Sequence, residues 1–196
     1  MKIRRSTPIK QSLYALGCAA ACAVMPLSGF MAQPAQAALA EKAQAPAFTA
    51  HGALDGKAIS FSLQEALKKG PVVLYFFPAA FTPGCTLEAH AFADATDDFA
   101  KLKATVVGIT AGNVDRVAAF SKEECRGKFA VLADPDAKVA SLYKTSSTHG
   151  NFLLSDRTSY VIAPDGTILL AFTSSDPQAH VNRTMAAVTA WYALHS

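Results

Sequence analysis

No Cys-x-x-Cys pair, no glycine-rich phosphate loop and no unbroken run of about 18 strongly apolar residues occurs in the 196-residue sequence. The first absence weighs against a thiol–disulfide oxidoreductase, whose second thiol resolves the mixed disulfide from within the motif. The second removes a nucleotide site of the P-loop or Rossmann kind, and the third makes a retained membrane span the weaker reading. Charge is scarce as well. Only 17% of residues are Asp, Glu, Lys or Arg and the formal net charge is +3, too mild for a dedicated nucleic-acid binder. Four Cys and five scattered His form no paired zinc spacing and no haem-attachment motif, so neither a metal nor a bound cofactor is expected. Alanine supplies 39 residues and tryptophan one, so the 51% hydrophobic content overstates the large apolar surface. The core must come from twelve Phe and the scattered Val, Ile and Leu. Collagen-like, coiled-coil and disordered architectures are excluded by the same composition.

What is present begins with an address. Lys2, Arg4, Arg5 and Lys10 precede an uncharged stretch from Gln11 to Ala40, and Ala35-Gln36-Ala37 is a small-x-small cleavage signal. This is the order of a secretory signal peptide over residues 1–37, with Ala38 as the first mature residue. Arg4-Arg5 is followed by Ser6-Thr7-Pro8-Ile9, a poor match to the twin-arginine route, so general secretion to a bacterial periplasm is expected. Removing residues 1–37 deletes four basic residues and no acid, leaving 14 Lys and Arg against 15 Asp and Glu, a net of −1. The mature chain therefore offers no electrostatic case for a nucleic-acid or membrane partner. Cys18 and Cys22 leave with the address. Cys85 and Cys125 remain, and in an oxidising compartment two thiols are expected to pair or to do redox work.

Residues 38–47, rich in Ala, Gln and Pro, read as a flexible leader, and 48–196 as one domain of ordinary size. Val72 to Phe77 is a continuous apolar run between Gly70-Pro71 and Pro78, the pattern of a strand buried on both faces. A helix with Leu87, Ala91, Ala95, Phe99 and Leu102 on its apolar stripe follows, then a strand over 105–110, a helix over 114–124 and a strand over 129–133. That alternation is the order of βαβ units. Farther on, 159–163 and 168–172 flank the Pro164-Asp165-Gly166 turn as a hairpin, and Val181, Met185, Val188 and Tyr192 stripe a last helix. The expected fold is an α/β three-layer sandwich of thioredoxin-like layout, with a mixed central sheet and helices on both faces. The spacing alone also fits a flavodoxin-like sheet.

The informative segment runs from Pro78 to Glu88. Cys85 follows a buried strand and a Pro83-Gly84 turn, in the first turn of a helix, where free N–H groups and the helix dipole favour the reactive thiolate. Strand ends are also where ligand sites of α/β sheets open. Pro78, Thr82 and Cys85 fit the Pro-x-x-x-Thr-x-x-Cys motif of the peroxiredoxins, and Thr-Pro-Gly-Cys-Thr followed by Glu88 resembles their bacterioferritin-comigratory, or Q-type, AhpC/TSA-like branch. Arg157 to Ile162, followed by Pro164-Asp165-Gly166, is similar to the strand that supplies that family's catalytic arginine. The resemblance implies a thiol-dependent peroxidase in which Cys85 becomes a sulfenic acid, Arg157 offers forked N–H donors to sulfur and peroxide, and Thr82 donates and accepts beside them. Pro78 shields the sulfur. Glu88, on the same helix face as Cys85, either supports the arginine or is an exposed first-turn carboxylate serving the helix dipole.

Many Q-type members carry their resolving Cys five residues after the first, a position held here by His90, read as a polar surface residue. Cys125, at the end of the second helix, resembles the branches that resolve from the following helix as an intramolecular disulfide. The alternative is a one-Cys peroxidase resolved by an external thiol. The implied partners are a peroxide and a thioredoxin-like protein or small thiol as reductant, with the chain a monomer or weak dimer. The pocket around Phe81 and Phe152 would set the preferred peroxide. A Cys-His hydrolase using His149 or His180 is a weaker rival, since both read as surface histidines in polar, loop-like surroundings.

Overall fold

The computed structural model describes residues 38–196, so the expected signal peptide and its cleavage site lie outside the described residues. The chain runs β1 (Thr49–Leu54), β2 (Lys57–Ser62), α1 (Leu63–Leu67), β3 (Val72–Ala79), α2 (Pro83–Lys101), β4 (Thr105–Gly112) and α3 (Val117–Glu123). It continues through β5 (Ala130–Ala133), α4 (Lys138–Leu142), β6 (Ser146–His149), β7 (Phe152–Ser155), β8 (Thr158–Ile162), β9 (Ile168–Thr173) and α5 (Pro177–His195). Seven strands form one sheet in the order β2-β1-β5-β4-β3-β8-β9, and β6 pairs with β7 separately. The central pairs β3–β4 and β4–β5 are parallel, and both flanks are antiparallel. Antiparallel β8 and β9 set aside the all-parallel flavodoxin-like alternative. The result is a thioredoxin-like three-layer sandwich.

The apolar run of β3 alternates between two cores, as the period of two demands. Val73, Tyr75 and Phe77 point into one core with α2, α3 and α5. Val72, Leu74 and Phe76 point into the other, under α1, α4 and the edge-to-face rings of Tyr143 and Tyr160. On α2 the buried face is Cys85, Glu88, Ala89, Phe92, Ala93 and Phe99, whereas Leu87, expected on the stripe, is exposed. The Phe92 ring stacks on Tyr75 with centroids 4.5 Å apart. That aromatic contact fixes the rotational phase of the helix and turns Leu87 to solvent.

Two further differences concern hydrogen bonding. The leader at 38–47 is not free. Lys42 N–H donates to Ile168 O, Ile168 N–H donates to Ala43 O, Ala45 N–H donates to Gly166 O, and Leu39 N–H reaches Tyr160 Oη. An edge strand has unpaired backbone groups, and the leader supplies partners while Leu39, Ala43 and Ala45 cover apolar surface. The β1–β2 hairpin was not expected either. Its turn is Asp55-Gly56, both with positive φ, the conformation that two-residue hairpin loops of opposite twist require.

Gly108 lies opposite Tyr75 in the β3–β4 ladder, and a Cβ there would come 2.7 Å from the Tyr75 ring. The tyrosine ring occupies the space a side chain would take. Gly108→Val is expected to cost about 1–3 kcal/mol of stability by overpacking, measured by urea denaturation, with a broad loss of near-ultraviolet tyrosine signal.

Candidate active site

The site forms where β3 ends. Pro78 follows the last β3–β8 pair, Phe76 opposite Thr158, so its missing N–H leaves no gap in that ladder. The loop after it is clamped from the end of β4. Thr110 Oγ1 donates to Pro78 O at 3.2 Å, Asn113 Nδ2 donates to Ala80 O at 2.7 Å, and Ala80 N–H donates to Gly112 O at 3.2 Å. Phe81 takes a left-handed backbone, φ 62°, which a bulky residue adopts only when held. Its ring is held edge-on to Phe120 at 5.2 Å, with the Arg116 guanidinium 3.8 Å from its centroid. These contacts set the angle at which α2 leaves the sheet.

Thr82 is the N-cap of α2, yet its hydroxyl does not cap the helix. It donates to Ala79 O at 3.1 Å, turning the side chain back towards the strand. Pro83, with no N–H to lose, opens the helix, and Cys85 sits in the first turn, 1% exposed.

Arg157 immediately precedes β8. Because β8 runs antiparallel to β3, its start lies beside the end of β3, and a residue 72 positions from Cys85 is brought to the sulfur. Arg157 Nη2 donates to Cys85 Sγ at 3.4 Å, while Nη1 donates to Glu88 Oε2. A Cβ on Gly84 would stand 3.1 Å from Nη2, so the glycine leaves room for the guanidinium to lie across the helix start. Glu88 is fully buried, which removes the exposed-carboxylate reading. Its second oxygen, Oε1, has no hydrogen-bond partner, and burial pushes the carboxyl up to about 8 against the pull of Arg157.

Cys125 is also a free, buried thiol. Burial, with the Glu124 charge adding, raises its pKa well above the ordinary thiol range. The Tyr75 hydroxyl is buried without a hydrogen-bond partner, in the same core as Cys85 and Cys125. The segment carrying Cys125 is fastened to α2 by two ion pairs, Asp94 to Arg126 at 2.5 Å and Asp97 to Lys128 at 3.0 Å, and by a contact of His90 Nε2 with Glu124 Oε2 at 2.7 Å. Half-buried His90 thus has a defined partner.

The structure reverses the reading of His180. It is buried within α5, with Nδ1 2.8 Å from Ser159 Oγ, Nε2 donating to Ser174 O at 3.0 Å, and Nδ1 3.7 Å from Glu88 Oε1. The signal was legible in Asp176-Pro177, an N-cap followed by proline at the first helical position, which makes residue 180 helical rather than part of a loop. His149 is exposed on β6 beside Ser147, and Phe152 is 71% exposed on β7. Among the described residues no group of three or more His, Cys, Asp or Glu is placed to hold a metal.

The buried pair makes stability depend on pH. Folded Glu88 keeps its proton up to about pH 8 while the unfolded side chain loses it near 4.5, so stability falls as pH rises through that window. His180 acts oppositely below 6.5, because burial lowers its pKa and only the unfolded ring takes up a proton there. Between pH 6.5 and 8 only the carboxyl contributes, about 1 kcal/mol of lost stability. Glu88→Gln is expected to flatten that slope in urea denaturation, and a slope unchanged by the substitution would contradict a raised Glu88.

Residues 42–171 match the AhpC/TSA family. Peroxiredoxin Q, chloroplastic, of Suaeda salsa is 34% identical over 150 residues, 76% of this chain and 67% of that protein. Peroxidoxin BcpB from Mycobacterium tuberculosis superposes with a TM-score of 0.69 at 32% identity, over 76% of this chain and 96% of that one. The bacterioferritin comigratory protein of Xanthomonas campestris shares the fold, with a TM-score of 0.64 at 22% identity over 72% of this chain and 91% of its own. With the family match spanning most of the described domain, and with relatives more than 30% identical along it, the chain belongs to the AhpC/TSA family and is a peroxiredoxin.

Proposed function

We propose that this thiol-dependent peroxidase reduces hydrogen peroxide and organic hydroperoxides at Cys85 and resolves the product through Cys125. The observation that carries the reading is the Arg157 guanidinium, held by Glu88 and bonded to the Cys85 sulfur. The Cys85 thiolate attacks one peroxide oxygen, the O–O bond breaks, and the sulfur becomes a sulfenic acid. The leaving oxygen takes the electron pair and a proton, departing as water or an alcohol. Arg157 faces the charge that develops on those oxygens, and Thr82, beside it, can reorient its hydroxyl to the bound peroxide. The alkyl peroxide reduction activity of the Xanthomonas campestris bacterioferritin comigratory protein supports including organic hydroperoxides.

Resolution condenses the Cys125 thiol with the sulfenic acid, forming a disulfide and releasing water. A thioredoxin-like protein or small thiol then supplies two electrons and two protons to restore both thiols. Cys125 in its buried seat is a poor nucleophile, so the segment 124–128 must loosen, or the first turn of α2 unwind, before the sulfurs meet. The two ion pairs and the His90–Glu124 contact to α2 oppose that loosening. We also propose export with cleavage after Ala37, on the pattern of residues 1–37.

Intact-mass analysis of protein recovered from the periplasm tests these points together. The mass should begin at Ala38, and one equivalent of peroxide should remove two hydrogens as a Cys85–Cys125 disulfide. Cys85→Ser should abolish peroxide consumption. A persistent Cys85 sulfenic acid with Cys125 still alkylatable would favour external resolution, and a mass retaining residues 1–37 would sink the export reading. In quenched-flow measurements, Asp94→Asn with Asp97→Asn should speed disulfide formation several-fold while leaving sulfenic acid formation unchanged, because loosening of the segment limits only the second step. An unchanged disulfide rate would show that the ion pairs do not gate it.

A further inference from the structure

Glu88 presents an imbalance. One oxygen holds Arg157, while the other is fully buried and has no partner. An unmet buried polar atom costs about 1–3 kcal/mol, so its surroundings call for explanation. The His180 ring lies alongside, with its Nδ1 3.7 Å from that oxygen. His180 is itself immobilised. Ser174 O accepts from Nε2, which leaves Nδ1 of the neutral ring as acceptor from the Ser159 hydroxyl, and the Phe172 ring closes one side with centroids 5.0 Å apart.

The four side chains come from three elements that converge on one point. Glu88 stands on α2, Arg157 and Ser159 at the start of β8, and His180 on α5. Arg157 and Ser159 are two residues apart on one strand and so face the same side of the sheet, which places the arginine and the serine that holds the histidine side by side. We propose that His180 is a positioning residue for peroxide reduction, backing the free oxygen of Glu88 and so fixing where the Arg157 guanidinium sits against Cys85. The imidazole closes the site on that side, 3.7 Å from Oε1, so the Glu88 carboxyl cannot swing away from the guanidinium that it holds. The other charged or titratable groups acting on this pair are Arg157, Tyr75 on β3 and Asp176 at the head of α5.

This inference rests on Cys85 and Arg157 being the reacting pair, and the two can fail separately. The experiment follows the second-order rate of Cys85 oxidation by hydrogen peroxide against pH in stopped flow, for the full mature chain. His180→Leu should fold and oxidise about tenfold more slowly at neutral pH, since small displacements of a positioning group carry losses of that order or more. Its pH profile should move upward by half a unit or more, because an Arg157 guanidinium held less firmly stabilises the Cys85 thiolate less. His180→Asn, which returns a polar atom near the place of Nδ1, should recover most of both effects. Ser159→Ala, removing only the bond that orients the ring, should shift the profile in the same direction, and it carries the test if His180→Leu does not fold. A profile superimposable on wild type in folded His180→Leu and in Ser159→Ala, or equal slowing in the Leu and Asn variants with no shift, would overturn the proposal. Retained reduction of peroxide by Cys85→Ser would instead overturn the reading of the site itself.

Discussion

The contact between Arg157 and the buried carboxylate of Glu88 is the constraint around which the domain is organised. Ionising a buried carboxyl costs several kcal/mol in desolvation, and here the group is carried on a helix face otherwise made of Cys85, Ala and Phe. Its partner must arrive from elsewhere in the chain, and the antiparallel register of β8 against β3 delivers it. Shifting that register by one residue would turn Arg157 to the opposite face of the sheet and strand Glu88 in the apolar core. The mixed topology is therefore more than a way to cover two faces, because a wholly parallel sheet would place the start of the neighbouring strand at the wrong end.

The rest of the site is backbone control. Thr110, Gly112 and Asn113 fasten the loop after β3, and the left-handed Phe81 sets where α2 begins. Chemistry rests on three or four side chains, but their aim depends on polar contacts from β4 and on aromatic packing beneath α2. Tyr75 joins these levels. Its ring fills the space over Gly108 and stacks on Phe92, and its hydroxyl lies in the core that holds the two sulfurs.

How much of this could be read in advance follows from the range of each signal. Pro78, Thr82, Cys85 and the buried strand before them are local, and Arg157 was legible only as part of a two-motif resemblance. The βαβ order came from periodicity. The phase of α2 did not, because alanines dilute the stripe and a ring from another element decides which face turns inward. Glu88 had two readings at the level of sequence, since helix spacing places it beside Cys85 without saying whether the core closes over it. His180 was misjudged because Ser174, Ser175 and Asp176 suggested a loop, although Asp176-Pro177 marks a helix start. The leader at 38–47 has too little apolar character to announce a docked segment, and only the bare edge of β9 explains its order.

The ion pairs that fasten the Cys125 segment to α2 are half-exposed or fully exposed on at least one side, and such pairs weaken as salt rises. Under the proposed resolution by Cys125, disulfide closure competes with attack of a second peroxide molecule on the sulfenic acid, which would carry the sulfur to the sulfinic state and end the cycle. A segment held tightly by surface charge leaves the sulfenic acid waiting longer. Tolerance of excess oxidant then follows the ionic strength around the protein.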